Sequence, residues 1–499
     1  ATYRPNIPEA GYYPVYTWVR DGTDRPNQLY RIHDSAGGVT EIRVDHRKVG
    51  KGWVYLGTYH SDAGRSGSVV ITNQSTAGGS VIIADAIRFG NGMGDMPAGP
   101  NSQISGYPRE DENSLMWLWR SVGQGNNPST VLGTSNVSAP RRMAEHMNAN
   151  ANPFGTSVYI SFHSNAAGGR GAVGLYANSA SQRTPNQEAL ALYTGRQINQ
   201  DMQALNGMFE HDWSNRTTHT YNGINFGEIN AGLSAEMDMT IIETAFHDQQ
   251  QDAELMRDPK VREQLARSTY EAVLEYFQNF GNLGTPVSQP SQPVDVRAIG
   301  TVDGGIQVSW TPGPTGVLGG TPTAYRVYVS RDGHGYLGYV EVPAGAGNTY
   351  AFAAEHLDES PYYFKVVGVN AGGESPRSAV TSAQVQVGAK RLLIVDGFDR
   401  YDRTTNERYP YAFTGDGLTD RVRVRYNNTF DYVTQIADAI ASTGARTNID
   451  AVQNEAIIAG AVSLANYDAV VWFLGEESSA DATFNAAEQA AVSAYLAGG

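Results

Sequence analysis

Thr156-Ser-Val-Tyr-Ile-Ser-Phe-His163-Ser-Asn-Ala-Ala-Gly-Gly169 is the stretch on which the fold turns. Its β-branched and aromatic run, Val158 to Phe162, predicts a short buried strand, with His163 where that strand ends. Small polar residues and the Gly168-Gly169 pair follow, as in a loop at the carboxyl end of a parallel strand. In open α/β sheets that edge is where ligands collect. An imidazole held on a strand and facing such a loop can serve as a metal ligand or general base, and it can equally be structural. The partners supplied by the rest of the chain decide between these.

Working outward, Gly90-Asn-Gly-Met-Gly-Asp reads as a loop, and Pro108-Arg-Glu-Asp-Glu112 opens a helical run, Asn113–Val122. Proline and acids in the first turn suit a helix N-terminus. Helices are also expected over Ala139–Asn148, Pro185–Leu205 and Arg262–Phe277, the last with Leu265, Thr269, Val273 and Phe277 in register. Met239-Thr-Ile-Ile-Glu243 reads as another short buried strand ending on an ionisable residue. Helices alternating with apolar strands indicate an α/β sheet. His163 and Glu243 would then project from one carboxyl edge, with an acidic group, Glu110 to Glu112, at a helix start. A zinc hydrolase needs three N/O ligands, one position for water and a nearby carboxylate. This stretch supplies one His, one ligand Glu and one base Glu, leaving one His unaccounted for.

The totals bound the answer. A chain of 499 residues should hold several domains, about three or four. The 55 Gly, with many Tyr, Asn, Ser and Thr, favour β-rich modules with many turns. A net charge of −15 without a basic run argues against nucleic-acid or anionic-membrane partners. Zero cysteines exclude disulfides, thiolate zinc sites and a cysteine nucleophile within this sequence. No run of 18 apolar residues is present, so no membrane span is expected. The chain opens in what reads as mid-strand and stops in what reads as mid-fold, and is expected to be a piece of a longer protein.

The expected fold class is multidomain: a β-sandwich, an α/β domain (phosphorylase/hydrolase-like), a second β-sandwich and a partial flavodoxin-like α/β unit. Residues 1–90 alternate in short segments: Tyr12–Val19, Leu29–His33, Val39–Asp45, Gly52–Tyr59, Ser68–Thr72 and Val81–Phe89. Gly11-Tyr-Tyr-Pro-Val-Tyr-Thr-Trp18, Tyr30–His33, Gly52–Tyr59 and Ala84–Phe89 resemble the golvesin-type, xanthan-lyase-associated carbohydrate-binding-like β-sandwich. In that setting Trp18, Trp53 and Tyr55 either touch sugar or, as we expect, form core. His33, His46 and His60 lack metal spacing and take no role. Residues 282–292 read as a Pro/Ser linker. Over 293–388, Gly305-Ile-Gln-Val-Ser-Trp310, Ala324–Ser330, Tyr362–Asn370 and Gly373–Pro376 resemble a fibronectin type III domain, which implies core positions for Trp310 and Tyr362. Over 389–499, strands Arg391–Asp396 and Tyr467–Gly475 with helices Tyr432–Ser442 and Ala486–Leu496 are similar to the start of a flavodoxin-like or glutamine-amidotransferase-like unit. Asp396 and Glu476 end its strands where ligands bind in such folds.

The central unit, 91–281, carries its own resemblance. Ser161-Phe-His-Ser-Asn-Ala166, Ile241-Ile-Glu-Thr-Ala-Phe246 and residues 252–277 resemble the zinc-dependent N-acetylmuramoyl-L-alanine amidases. The resemblance implies His163 and a helix-start glutamate, Glu112 with Glu110 as the alternate, as Zn²⁺ ligands, with Glu243 acting on the water. It also implies a first His ligand upstream of Ala1, the golvesin-like module being an insertion after the first strand. The implied reaction is hydrolysis of the amide between N-acetylmuramic acid and L-alanine. His247 and Asp248 depart from the family pattern. His247 reads as a surface residue or a substrate contact, and His146 beside Glu145 as part of a solvated helix face. His211 and His219 fall in a loop that could line the groove, while of Arg141 and Arg142 one should brace a carboxylate and the other face solvent. The expected partner is peptidoglycan or an extracellular polysaccharide, and the expected location is a bacterial cell envelope or its exterior. The alternative is a non-catalytic wall- or polysaccharide-binding protein on a degenerate amidase scaffold. A polysaccharide lyase ranks last, for want of a Tyr/His/Arg base set.

Overall fold

Period-two burial organises the N-terminal strands of the computed structural model. The structure describes residues 1–20, 22–25, 28–35, 38–44, 46–47, 52–74, 80–90, 114–115, 135–151, 156–223, 225–231, 236–336, 338–413, 417–423, 427–477 and 483–498. They form two compact units: Ala1–Gln200, Ser214–Gln249 and Ser268–Gly284 in the first, and Asp201–Trp213, Gln250–Arg267 and Thr285–Gly499 in the second. No helix among the described residues is long and apolar enough to cross a membrane.

The first unit begins with β1 (Thr2–Tyr3), β2 (Gly11–Val19), β3 (Gln28–His33), β4 (Val39–Val44), β5 (Gly52–Ser61), β6 (Ser68–Ile71) and β7 (Ile87–Phe89). They form sheets of order β1-β6-β3-β4 and β5-β2-β7. Val15 and Val19 of β2 and Leu56 of β5 pack with Tyr30, Ile32, Val69 and Ile71 of the other sheet. The core reading does not hold for the tryptophans. Trp18 alternates with buried Thr17 and Val19, so it lies on the opposite face of β2 and is only half-buried. It pairs across strands with half-buried Trp53, edge to face at 5.4 Å, and the Arg88 guanidinium sits 5.1 Å from the Trp53 ring and 4.0 Å from Tyr16. The side chain of Tyr55 lies outside the described residues. The strand expected over Val81–Phe89 shortens to β7 because the Gln28 amide takes the place of a partner strand. It donates to Ile83 O at 2.7 Å and accepts from Ile83 N at 2.9 Å. His46 is fully buried against the Tyr30 hydroxyl at 2.9 Å, a packing role.

The same unit continues through α1 (Ala139–Ala151), β8 (Val158–Asn165), β9 (Val173–Ala177), α2 (Gln187–Ala204, in this unit to Gln200), β10 (Thr220–Gly223) and β11 (Asp238–Phe246). Strand order is β10-β9-β11-β8. β8 and β11 run parallel, as do β9 and β10, while β9 and β11 are antiparallel. β11 is buried as expected, with Met239, Ile241 and Ile242 at 2% exposure or less. β8 is not. It has one neighbour among the described strands, which leaves Val158–Ser161 half-buried and Phe162 57% exposed. Arg141 is buried and pairs with Glu145 one turn on, the bracing role expected of one arginine, whereas Arg142 is half-buried rather than facing solvent. The side chain of His146 and the helical run after Asn113, apart from residues 114–115, lie outside the described residues.

The second unit contains α3 (Gln250–Arg257), and α4 (Pro259–Phe280) starts in it. Its strands are β12 (Val294–Gly300), β13 (Ile306–Thr311), β14 (Ala324–Ser330), β15 (Gly338–Pro343), β16 (Thr349–Phe352), β17 (Tyr362–Asn370), β18 (Gly373–Glu374), β19 (Thr381–Gln384) and β20 (Lys390–Asp396). β21 (Glu407–Phe413), β22 (Gly417–Arg423), α5 (Tyr432–Ser442), β23 (Thr447–Gln453), α6 (Glu455–Ile458), β24 (Ala469–Phe473) and α7 (Ala486–Ala497) follow. Trp310 and Tyr362 are core, at 4% and 7% exposure. The Tyr362 hydroxyl accepts from Asp358 N at 3.0 Å, tying a corner four residues upstream. The Pro/Ser stretch is pinned rather than loose: Asn370 donates to Ser288 O at 2.8 Å and Arg267 to Gln289 O at 2.9 Å.

Residues on either side of 388, expected as separate modules, share a sheet. β23 bonds to β20 and β19, and meets β12 at Ala298↔Ala451. Tyr363, Val367 and Val380 pack in one cluster with Ile394, Val433, Ile449 and Ala451. Burial at the end of β20 pushes the Asp396 carboxyl up to about 7, helped by Glu455 and Asp399. A carboxyl raised in the fold contributes stability below its unfolded value, and that contribution is lost as pH rises through about 7. Asp396→Asn should therefore raise the melting temperature of this unit at pH 8, by a stability gain of about 2–4 kcal/mol, and leave it unchanged near pH 4. Calorimetric scans at the two pH values check this.

Candidate active site

β8 and β11 place the first two side chains. Their parallel register sets Glu243 opposite His163, and paired residues of neighbouring strands share a face. Both strands run past these positions, to Asn165 and Phe246, with the register breaking after Glu243. His163 and Glu243 thus sit just before the carboxyl ends rather than at them.

The His163 ring is fixed from one side. Its Nε2 lies 3.0 Å from Glu228 Oε2 and 3.2 Å from Ser161 Oγ, and Ser161 donates to Glu228 Oε1 at 2.8 Å. Thr244 Oγ1 donates to His163 O at 2.8 Å, tying the two strands together at this level. Glu228 belongs to the segment before β11 and was not singled out by sequence; an acid fifteen residues before Glu243 carries no motif. Ser161 lies two residues before His163 on the same face, a signal that strand periodicity does contain.

Glu243 is half-buried, and its Oε2 is buried with no hydrogen-bond partner among the described residues. Burial raises its pKa above the usual carboxylate range, His163 and His247 pull it down, and Glu228 pushes it up. Orphaned buried carboxylate oxygens are uncommon and call for an explanation. A cation or a water held by one fits here, since nitrogen and carboxylate donors are those zinc takes. With Nε2 engaged by Glu228, Nδ1 is the His163 nitrogen open to a metal. A carboxylate on the other ring nitrogen is the usual support for a metal-ligating imidazole. Glu112 and Glu110 lie outside the described residues.

His247 and Asp248 fasten the loop after β8. Ser164 Oγ meets His247 Nδ1 at 3.0 Å, and Asp248 Oδ2 accepts from Ala167 N at 2.9 Å and Gly168 N at 3.0 Å. Ala167 and Gly168 both have positive φ, 81° and 80°, a turn that the Asp248 carboxylate holds in place. His219 meets the Asn199 amide at 3.1 Å, and its pKa is lowered by burial and by Arg196 and Arg216.

In the second unit, Glu210, His211 and Glu254 bring ligand-type atoms within 4.8 Å of one another. His211, expected near a groove, pairs there with Glu254 at 2.6 Å, and Arg403 pairs with Glu210 at 2.6 Å. The arginine already supplies a positive charge to this cluster.

Xanthan lyase from Bacillus sp. (strain GL1) is 36% identical over 89 residues, 18% of this chain and 10% of the relative. The chain thus spans about a tenth of that relative's length. Among solved structures, the CwlD amidase from Clostridioides difficile in complex with the GerS lipoprotein matches at 17% identity, covering 29% of this chain and 62% of that one, with a TM-score of 0.22. The FN5 domain of Drosophila Lar matches at 22% identity over 20% of this chain and 99% of that one, with a TM-score of 0.16. The chain carries two family matches, residues 1–91 to the Golvesin C-terminal domain and residues 130–275 to N-acetylmuramoyl-L-alanine amidase.

Proposed function

We propose that the His163–Glu243 site belongs to a zinc-dependent hydrolase that cleaves the amide between N-acetylmuramic acid and L-alanine in peptidoglycan. The observation that carries the reading is the register pairing of His163 with Glu243, whose inner oxygen is buried and has no partner among the described residues. His163 and Glu112 would hold the ion, together with a first His upstream of Ala1. The chemistry such an ion supplies is Lewis acidity toward the carbonyl and its water. Glu243 takes the proton of the attacking water and passes it to the departing amine of L-alanine. Glu228 and Ser161 hold the His163 ring through Nε2, so Nδ1 would be the nitrogen that takes the ion. The golvesin-like module supports a polymeric glycan as the wider substrate and a site of action in the bacterial cell wall or outside the cell.

Zinc analysis of this chain against a form extended upstream tests the ligand set. The extended form is expected to hold about one zinc and this chain to hold less. Glu228→Gln in the extended form should weaken zinc binding by about 10–100-fold, read by competition with a chelator. Equal zinc in both forms would sink the upstream ligand. An extended form that binds zinc yet releases no stem peptide from purified peptidoglycan would favour the non-catalytic binder instead.

A further inference from the structure

We propose that the cleft at the carboxyl edge of β20 and β24 binds a neutral saccharide. The three parallel strands run in the order β23-β20-β24, with the first in sequence in the middle. Right-handed crossovers on either side of β20 then lie on opposite faces, and a crevice opens outside the carboxyl ends at that point. A cavity of about 340 Å³ occupies it, lined by Phe398, Tyr432, Gln435, Phe473, Gly475 and Glu476 among others. That is at the lower end of small-ligand sites, about 300–1,000 Å³.

The walls are held in place without a ligand. Gly397 N donates to Phe473 O at 3.0 Å, and Asn428 Nδ2 donates to Phe398 O at 2.6 Å. Arg400 N donates to Glu477 Oε1 at 2.7 Å and Arg400 Nη1 to Glu476 O at 3.1 Å, which cross-braces the loops after β20 and β24. Gly475 has a φ of +54°, and a Cβ there would fall 2.2 Å from the Phe398 ring, so that ring is seated directly on the glycine. A rigid cleft of this kind gives up little entropy on binding.

The lining chemistry selects the ligand class. Phe398, Tyr432 and Phe473 form a chain of rings, with centroids 5.6 and 6.4 Å apart. Phe398 is buried on Gly475, which leaves half-buried Tyr432 and Phe473 as the rings that can meet the polarised C–H face of a pyranose. The hydroxyl of Tyr432, the amide of Gln435 and the carboxylate of Glu476 have no hydrogen-bond partners among the described residues, leaving donors and acceptors for vicinal hydroxyls. Among the described residues that line the cleft there is no Lys, Arg or His, and Glu476 repels anions. A phosphate or carboxylate ligand would find no counter-charge among these residues. This site is independent of the His163–Glu243 chemistry.

Calorimetric titration of the whole chain with chitotetraose, cellotetraose, inorganic phosphate and putrescine tests the proposal. One of the saccharides is expected to bind saturably at neutral pH. Tyr432→Ala should weaken it by about tenfold or more, and Gln435→Ala and Glu476→Gln by about threefold each. The last two side chains are exposed, so these variants serve if Tyr432→Ala fails to fold. Three results overturn the proposal: no saccharide heat at millimolar concentrations, saccharide binding unchanged by the three variants, or pocket-dependent binding of phosphate or putrescine without saccharide.

Discussion

Glu243→Gln is expected to lower stem-peptide release from purified peptidoglycan by about 10²–10⁴-fold in the zinc-loaded, upstream-extended form, leaving zinc content unchanged. Glutamine keeps the size and one acceptor of the side chain but cannot take a proton. The two readouts separate its role from that of a ligand: loss of a ligand lowers zinc and turnover together, whereas loss of the base lowers turnover alone. Turnover within a factor of about three of wild type would remove Glu243 from the proposed mechanism. The variant also loses no hydrogen bond at Oε2, because that atom has no partner among the described residues. A folding defect is therefore not the expected cause of inactivity.

The second large effect concerns the support beneath the site. Gly174 on β9 has no room for a side chain: a Cβ would lie 1.9 Å from Ala191 O and 2.5 Å from Ala191 C on α2. Gly195 on α2 faces the same seam, where a Cβ would lie 2.1 Å from His219 O and 2.8 Å from Gly174 N. Backbone rather than a flexible side chain fills both spaces, so the helix must move if either glycine gains a methyl group. Gly174→Ala is expected to cost about 3 kcal/mol or more, within the range of severe overpacking. Since Gly174 pairs with Ile242, one residue before Glu243, the displacement starts beside the site. Hydrogen exchange should show lost protection in α2 and β9, while the second unit keeps its protection. Unchanged exchange in α2 would mean that the seam is looser than its distances imply.

Much of this was legible in the chain itself. Apolar runs such as Val158–Phe162 and Met239–Glu243 specify strands because few other arrangements satisfy both backbone and side chains there. The motifs around His163 and Glu243 carried the resemblance that the family match over residues 130–275 bears out. The resemblance to a fibronectin type III domain implied core positions for Trp310 and Tyr362, and both are buried. Local pattern could not show which neighbours a strand has. Phe162 is exposed because β8 has a single described neighbour, and Trp18 leaves the core because alternation sends it to the outer face of β2.

What the sequence determined by itself is therefore a part of the strands and helices, such as β11, β20, α2 and α5, the likeness to known modules, and the pair His163 and Glu243. Those depend on residue types at short spacing, which local sterics and hydrophobic periodicity translate directly. Tertiary structure alone decided that Glu228 holds the His163 ring, that Gln28 replaces a strand partner, and that β23 joins two stretches read as separate into one sheet. Each of these joins residues far apart in the chain, and no local pattern encodes the closure of such a loop.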